Sequence, residues 1–179
     1  MLGKQCWRIV NNPDSLASKI LKRCYFPNET LITGSKKKNY GSFAWKSLLW
    51  GKGILEAGMR WRVGNGTAIS IYKDNWIPNS SFLKILSHPK LGVDATVNRL
   101  ISSSGGWNME VLNQNFSMEE INGILQIPVG GGEVVNTNIW HFEKNGCYSV
   151  KSGYWVGKSL TQYPSSSSCS NLVWWWKRL

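Results

Sequence analysis

Met59-Arg-Trp-Arg-Val-Gly-Asn-Gly-Thr-Ala-Ile-Ser-Ile71 decides the fold class. Apolar and polar residues alternate on both sides of Asn65-Gly66, and a period of two suits a strand, not a helix. Asn-Gly is also the strongest short turn signal between strands. A two-residue loop would set Arg62 opposite Ile69 and Arg60 opposite Ile71, mixing charge and core on one face. A three-residue loop, Gly64-Asn65-Gly66, pairs Val63 with Thr67, Trp61 with Ile69 and Met59 with Ile71, and leaves Arg60, Arg62, Ala68 and Ser70 on the other face. Asn145-Gly146 reads the same way. A Lys144-Asn145-Gly146 loop pairs Phe142 with Tyr148 and Trp140 with Val150, and turns His141, Glu143, Cys147 and Ser149 outward. Two hairpins are expected, the first over 59–72, each with a left-handed glycine, Gly66 and Gly146, at a bulge.

The flanks are helical. Leu2 to Val10 carries Leu2, Cys6 and Ile9 on one side. Asn12 can cap a second helix, with Pro13 in its first turn and an apolar face of Leu16, Ile20, Leu21 and Cys24 that ends before Pro27. Thr33 to Tyr40, with Lys36-Lys37-Lys38, has no apolar period and reads as loop. Ser42 caps a helix through Trp45 and Leu49 that stops at Gly58, with a break expected near Gly51 and Gly53. Ser102 to Gly106 reads as a joint between halves. Trp107 to Leu112 looks helical, Ser117-Met-Glu-Glu120 is a capping box opening a helix to about Gln126, and Ser149 caps a helix from Val150 to Leu160. The fold class is therefore α+β: short helices with two β-hairpins and a tryptophan-rich core.

Eleven tryptophans scattered from Trp7 to Trp176 fit core positions better than one stacking platform. The net charge is +11, and all of the excess lies in residues 1–90, where 15 Lys/Arg face Asp14, Glu29, Glu56 and Asp74; residues 91–179 hold six of each sign. A polyanion should be drawn to the first half, and the competing reading is a solvated surface that aids solubility. Lys36, Lys37 and Lys38, with Arg60 and Arg62 projecting together from one strand face, are the candidate phosphate contacts. No apolar run is long enough to span a bilayer and no signal-peptide layout opens the chain, so an intracellular, non-secreted protein with no membrane partner is expected. Cys6, Cys24, Cys147 and Cys169 form no zinc spacing and read as reduced thiols.

Phosphodiester chemistry needs carboxylates converging on divalent ions, whereas Asp14, Asp74 and Asp94 lie far apart in sequence. His88 and His141 neighbour no nucleophile, and His141 reads as a surface residue. Gly64-x-Gly66 lacks the rest of a dinucleotide fingerprint, and no Walker, Gly-x-Ser-x-Gly or kinase pattern occurs. No catalytic, metal or cofactor-binding residue is assigned, and no cofactor is expected.

Met59-Arg-Trp-Arg-Val-Gly-Asn-Gly-Thr67, continuing through Ile71-Tyr-Lys-Asp-Asn-Trp-Ile-Pro78, resembles the C-terminal region of plant non-LTR (LINE-type) retroelement reverse transcriptases, often labelled ribonuclease H proteins. Gly3-Lys-Gln-Cys-Trp-Arg8 with Pro13-Asp-Ser-Leu16, Phe43-Ala-Trp45 through Gly58, and Ile139-Trp140 with Asn145-Gly-Cys-Tyr-Ser-Val-Lys-Ser-Gly-Tyr154 extend it in the same order over nearly the whole chain. The resemblance implies a basic connector over 1–95 and, over 107–179, the truncated start of a reverse-transcriptase zinc-binding region. It also implies that the polymerase aspartates would lie upstream and the zinc ligands and any ribonuclease H domain downstream. Trp174-Trp175-Trp176 at a free end reads as a cut inside a structural element. The expectation is a non-catalytic fragment of such a polymerase, contacting RNA or DNA without sequence preference. The rivals are a tryptophan-rich protein-interaction module, an inert retroelement remnant, and, third, a nuclease acting alone; oligomeric state is not legible.

Overall fold

The computed structural model describes residues 2–34, 42–78, 83–103, 105–129 and 134–162. In chain order the elements are α1 (Leu2–Asn11), α2 (Leu16–Tyr25), α3 (Leu31–Gly34), α4 (Phe43–Gly58), β1 (Met59–Arg62), a 3-10 turn (Val97–Leu100), α5 (Met109–Asn115), α6 (Met118–Leu125), β2 (Thr137–Trp140) and α7 (Val150–Gln162). The fold is α+β. Two compact units share the chain: a helical unit made of the described residues up to Met59 and from Phe142 onward, and a mixed unit, Arg60–His141, inserted between them.

In the helical unit α1 packs along α4, and glycines let them approach. A Cβ on Gly51 would lie 2.9 Å from the Leu2 carbonyl carbon. The helix therefore runs unbroken through Gly51, where a break was expected: the glycine serves a helix crossing. Cys6 is fully buried beneath α4, its thiol donating to the Leu48 carbonyl at 3.1 Å, and burial pushes its pKa up to about 11. Trp45 is buried and stacks on Tyr25 at 4.2 Å and on Phe26 at 5.9 Å. Ser42 caps α4 as expected, but α2 is capped by Ser15, not Asn12, and the Ser18 hydroxyl donates to the Asn12 carbonyl at 2.8 Å. Leu16, Ile20 and Cys24, expected to face the core, are exposed; the residue that α2 buries is Ser18. Thr33 and Gly34, expected to open a loop, belong to α3, and the rest of that stretch, 35–40, lies outside the described residues.

The second expected hairpin is not formed. Gly146 does have a left-handed φ of 72°, and its N–H donates to Glu143. The chain that follows enters α7: Ser149 Oγ accepts from Ser152 N at 3.1 Å, so the cap wins over a return strand and Val150 starts a helix instead of pairing with Trp140. Tyr148 then lies in a slot between two helices. A Cβ on Gly153 would stand 1.9 Å from its hydroxyl oxygen, and one on Gly3 2.3 Å away, so only hydrogen at both positions admits the ring. Trp7 stacks on its other side at 6.3 Å.

The first expected hairpin is also replaced. β1 pairs antiparallel with β2, nearly eighty residues on, while 69–71 pairs with 95–97 through Val97 N to Ile69 O at 2.9 Å and Ile71 N to Ala95 O at 3.0 Å. Gly66 keeps its expected positive φ, 70°. Besides the local bond from Thr67 N to Asn65 Oδ1 at 3.2 Å, the turn is held by Asn136, whose Oδ1 accepts from Gly64 N at 2.9 Å and Gly66 N at 3.0 Å, and whose Nδ2 donates to Asn65 Oδ1 at 2.9 Å. Two four-residue strands alone would leave Val63, Ile69 and Ile71 half in water; sending each flank to its own partner buries all three. The core they join is finished by Trp76, whose Nε1 donates to Ile71 O at 2.9 Å, and by residues of α5 and α6. The Ser117–Glu120 capping box is present, and Glu120 also accepts from Leu86 N and Ser87 N. Helix α5 opens at Met109, capped by Asn108, slightly later than expected. The expected joint lies inside this unit: Ser102 N donates to Gly106 O at 2.7 Å, and Ile101 and Trp107 are bridged beside it.

Replacing Gly66 by Val should cost about 1–2 kcal/mol or more in urea unfolding, because a side chain there must adopt positive φ and would meet Asn98 N at 2.7 Å. Asn136→Ala should cost about 1–3 kcal/mol by leaving two backbone donors unmatched. For the slot, Gly153→Ala should destabilise by roughly 1–3 kcal/mol and should cost far less in a Tyr148→Ala background; equal costs in the two backgrounds would show that the ring is not what the glycine accommodates.

Candidate nucleic-acid interface

β1 continues directly from α4, and residues two apart on a strand project to one side, which places Arg60 and Arg62 together. They are not equivalent. Arg62 is exposed, whereas Arg60 is mostly buried and donates from Nε to Nδ1 of His141 at 3.3 Å. Burial, and after it the charge of Arg62, lowers the pKa of Arg60. Burial, and after it the charge of Arg60, pushes His141 down to about 4, so at neutral pH the ring is uncharged and its Nδ1 can accept. His141 is thus no plain surface residue; it orients an arginine. Of the expected phosphate contacts, Arg62 is the one displayed to solvent, Arg60 is largely engaged, and Lys36, Lys37 and Lys38 lie outside the described residues.

Folding redistributes the charge. The described residues of the helical unit hold ten Lys/Arg against Asp14, Glu29, Glu56 and Glu143, while the mixed unit holds six against Asp74, Asp94, Glu110, Glu119 and Glu120. Lys144, Lys151 and Lys158 come from the half of the sequence with no net charge, yet they join the basic residues of α1, α2 and α4. Lys52 is the buried member of the set and pairs with Glu56 at 3.4 Å; the other nine are exposed. On α7, Lys151, Tyr154 and Lys158 stand at i, i+3 and i+7, all exposed on one stripe. That spacing was readable in a helix expected over the same residues, but a count of charge by halves passes over it.

The aspartates serve local structure. Asp14 pairs with Lys19 at 3.5 Å, Asp94 with Lys73 at 2.5 Å, and Asp74 accepts from Ser70 N at 2.7 Å. Cys6 is buried and Cys24 and Cys147 are exposed, all three as free thiols; Cys169 lies outside the described residues. Among the described residues no three His, Cys, Asp or Glu side chains gather where a metal could be held, and no helix is long and apolar enough to cross a membrane.

No protein-family profile matches this chain, and no solved structure does. A mitochondrial protein of Arabidopsis thaliana, AtMg00310, itself uncharacterised, is 31% identical to it over 87 residues, 49% of this chain and 56% of that protein. The match thus spans little more than half of the relative's length.

The Arg60–His141 pair makes stability pH-dependent in a defined window. The folded chain holds His141 neutral down to about pH 4, whereas the unfolded chain protonates near pH 6.5. Above pH 6.5 the contribution is complete. Between 6.5 and 4 the unfolded state takes up the proton first, and stability should fall by up to about 3 kcal/mol before levelling off. Urea unfolding across that range should show the loss, and His141→Asn should flatten it.

Proposed function

We propose that this chain is a non-catalytic segment of a plant retroelement reverse transcriptase of the non-LTR, LINE type, an intracellular RNA-directed DNA polymerase, and that it contacts RNA or DNA through phosphate without reading sequence. The motifs that resemble that family, in the same order along the chain, support the parentage; so does the similarity to a plant mitochondrial protein. The observation that carries nucleic-acid contact is the segregation of charge: nearly the whole surplus of the described residues belongs to the helical unit, and its lysines and arginines are exposed with the exception of Lys52. Lys36, Lys37 and Lys38 are further candidate phosphate contacts, and in the mixed unit Arg62 is a separate one, with Arg60 held behind by His141. Flexible lysine ammoniums meet phosphates from many directions and form no arranged set of base-reading groups, which is why sequence preference is not expected.

A truncation at residue 90 is no test of this reading, because it removes α7 from the helical unit and Ala95 to Ile127 from the core of the mixed unit. The full chain is the right material. Its affinity for duplex DNA should fall with salt at a log–log slope of roughly −3 to −5, as for about four to six neutralised phosphates, and the combined Lys36, Lys37, Lys38 and Arg62→Gln variant should flatten that slope by about 2–4 with its melting temperature kept. Arg60 is left in place because its side chain is engaged with half-buried His141, so its removal would disturb packing as well as charge. A variant that binds as tightly as the parent would make these four residues a solubility surface. Complete absence of binding would favour the protein-interaction reading, for which α2 offers the exposed apolar stripe Leu16, Ile20 and Cys24.

A further inference from the structure

Within the helical unit, α4 and α7 meet where Ile54 Cδ1 comes within 3.2 Å of the Cβ position of Gly157. Beside that contact lies a groove of about 360 Å³, lined by Leu2, Trp50 and Ile54 on one side and by Val150, Tyr154 and Lys158 on the other, with glycines Gly3, Gly153 and Gly157 lining it between. Its size is in the range of small-ligand clefts. Trp50 is 60% exposed and Tyr154 63%, values unusual for rings of this size flanking one cavity, since large aromatic side chains are usually well covered. Tyr154 meets Trp155 edge to face at 5.7 Å, and the Lys158 ammonium lies 5.2 Å from the centre of the same indole. No acidic residue lines the groove, and Lys151 and Lys158 bracket Tyr154 on one helical stripe.

We infer that this groove is a second nucleic-acid site, specific for single strands: unpaired bases stack on Trp50 and Tyr154 while Lys151 and Lys158 meet the adjoining phosphates. Exposed aromatic faces alternating with cations suit a flexible polyanion with free ring faces, and a duplex, whose bases are already stacked on one another, cannot offer those faces. An acidic peptide would satisfy the lysines but leave both rings in water. The site rests on the reading that the chain meets nucleic acid; Lys151 and Lys158 belong to the exposed basic set of the helical unit, whereas Trp50 and Tyr154 have no part in phosphate contact and so distinguish the groove from it.

The test is fluorescence anisotropy with labelled oligothymidine and with a duplex of equal length, on the full chain. Trp50→Ala with Tyr154→Ala should weaken oligothymidine binding by roughly 5- to 100-fold and leave duplex binding within about twofold. Lys151→Gln with Lys158→Gln should reduce the single-strand salt slope by about 1.4. Ultraviolet crosslinking of oligothymidine to the unaltered chain should recover peptides containing Trp50 or Tyr154, which keeps the proposal open to refutation even if the double variant misfolds. Equal losses on both probes, unchanged oligothymidine affinity, or crosslinks confined to other peptides would overturn it. A chain that binds neither probe refutes nucleic-acid contact altogether, whereas binding of both probes that the Trp50 and Tyr154 changes leave intact refutes only the groove.

Discussion

The carboxamide of Asn136 is the interaction on which the architecture turns. By accepting from Gly64 and Gly66 and donating to Asn65, it fixes a turn whose own flanks do not pair with each other, and it does so from a segment some seventy residues away. Everything between, from the 69–71 extended stretch to α6, is thereby enclosed as one inserted unit with its own core. The insertion leaves the helical unit after Met59 and the chain rejoins it at Phe142, so α7 can complete a bundle begun by α1 and α4. A half-buried amide that satisfies three partners at once is a steep constraint, because the Gly64 and Gly66 donors it serves are themselves buried.

The helical unit rests on a constraint of the opposite kind, missing volume. Tyr148 can enter only because positions 3 and 153 carry no side chain, and α1 can cross α4 only because position 51 carries none. Gly3 and Gly153 belong to stretches far apart in the sequence, one near the start of the chain and one in α7. In this fold those stretches pack on one another. A division of the chain at 95–107 drawn from resemblance follows the order of motifs along the sequence; the packing of the described residues divides it at 59 and 142. The two need not coincide, since likeness follows the order of residues and packing follows which surfaces fit.

The same difference separates two ways of reading charge. Counted along the sequence, the second half is neutral and looks inert. Counted by unit, three of its lysines stand with the basic helices, and its described acids, Glu143 excepted, fall in the mixed unit with Asp74. Electrostatic attraction depends on distance in space, so the unit is the proper unit of account.

What the sequence determined by itself was local. The capping residues Ser42, Ser117 and Ser149, the helices they open, the left-handed glycines Gly66 and Gly146, and the α+β class all follow from hydrogen bonds and dihedral limits within a few residues, and the structure contains each of them. What only the tertiary structure decided was partnership: that β1 meets β2 and not residues 67–71, that Arg60 is taken by His141, and that Leu16 and Ile20 face water while Ser18 is buried. Alternation says that a strand has two faces but not what lies across from it. A turn signal fixes the bend and leaves the partner to whichever distant segment buries more apolar surface and matches more backbone groups, and nothing within reach of the Asn65-Gly66 turn announces that the segment would be Asn136 and the strand beside it.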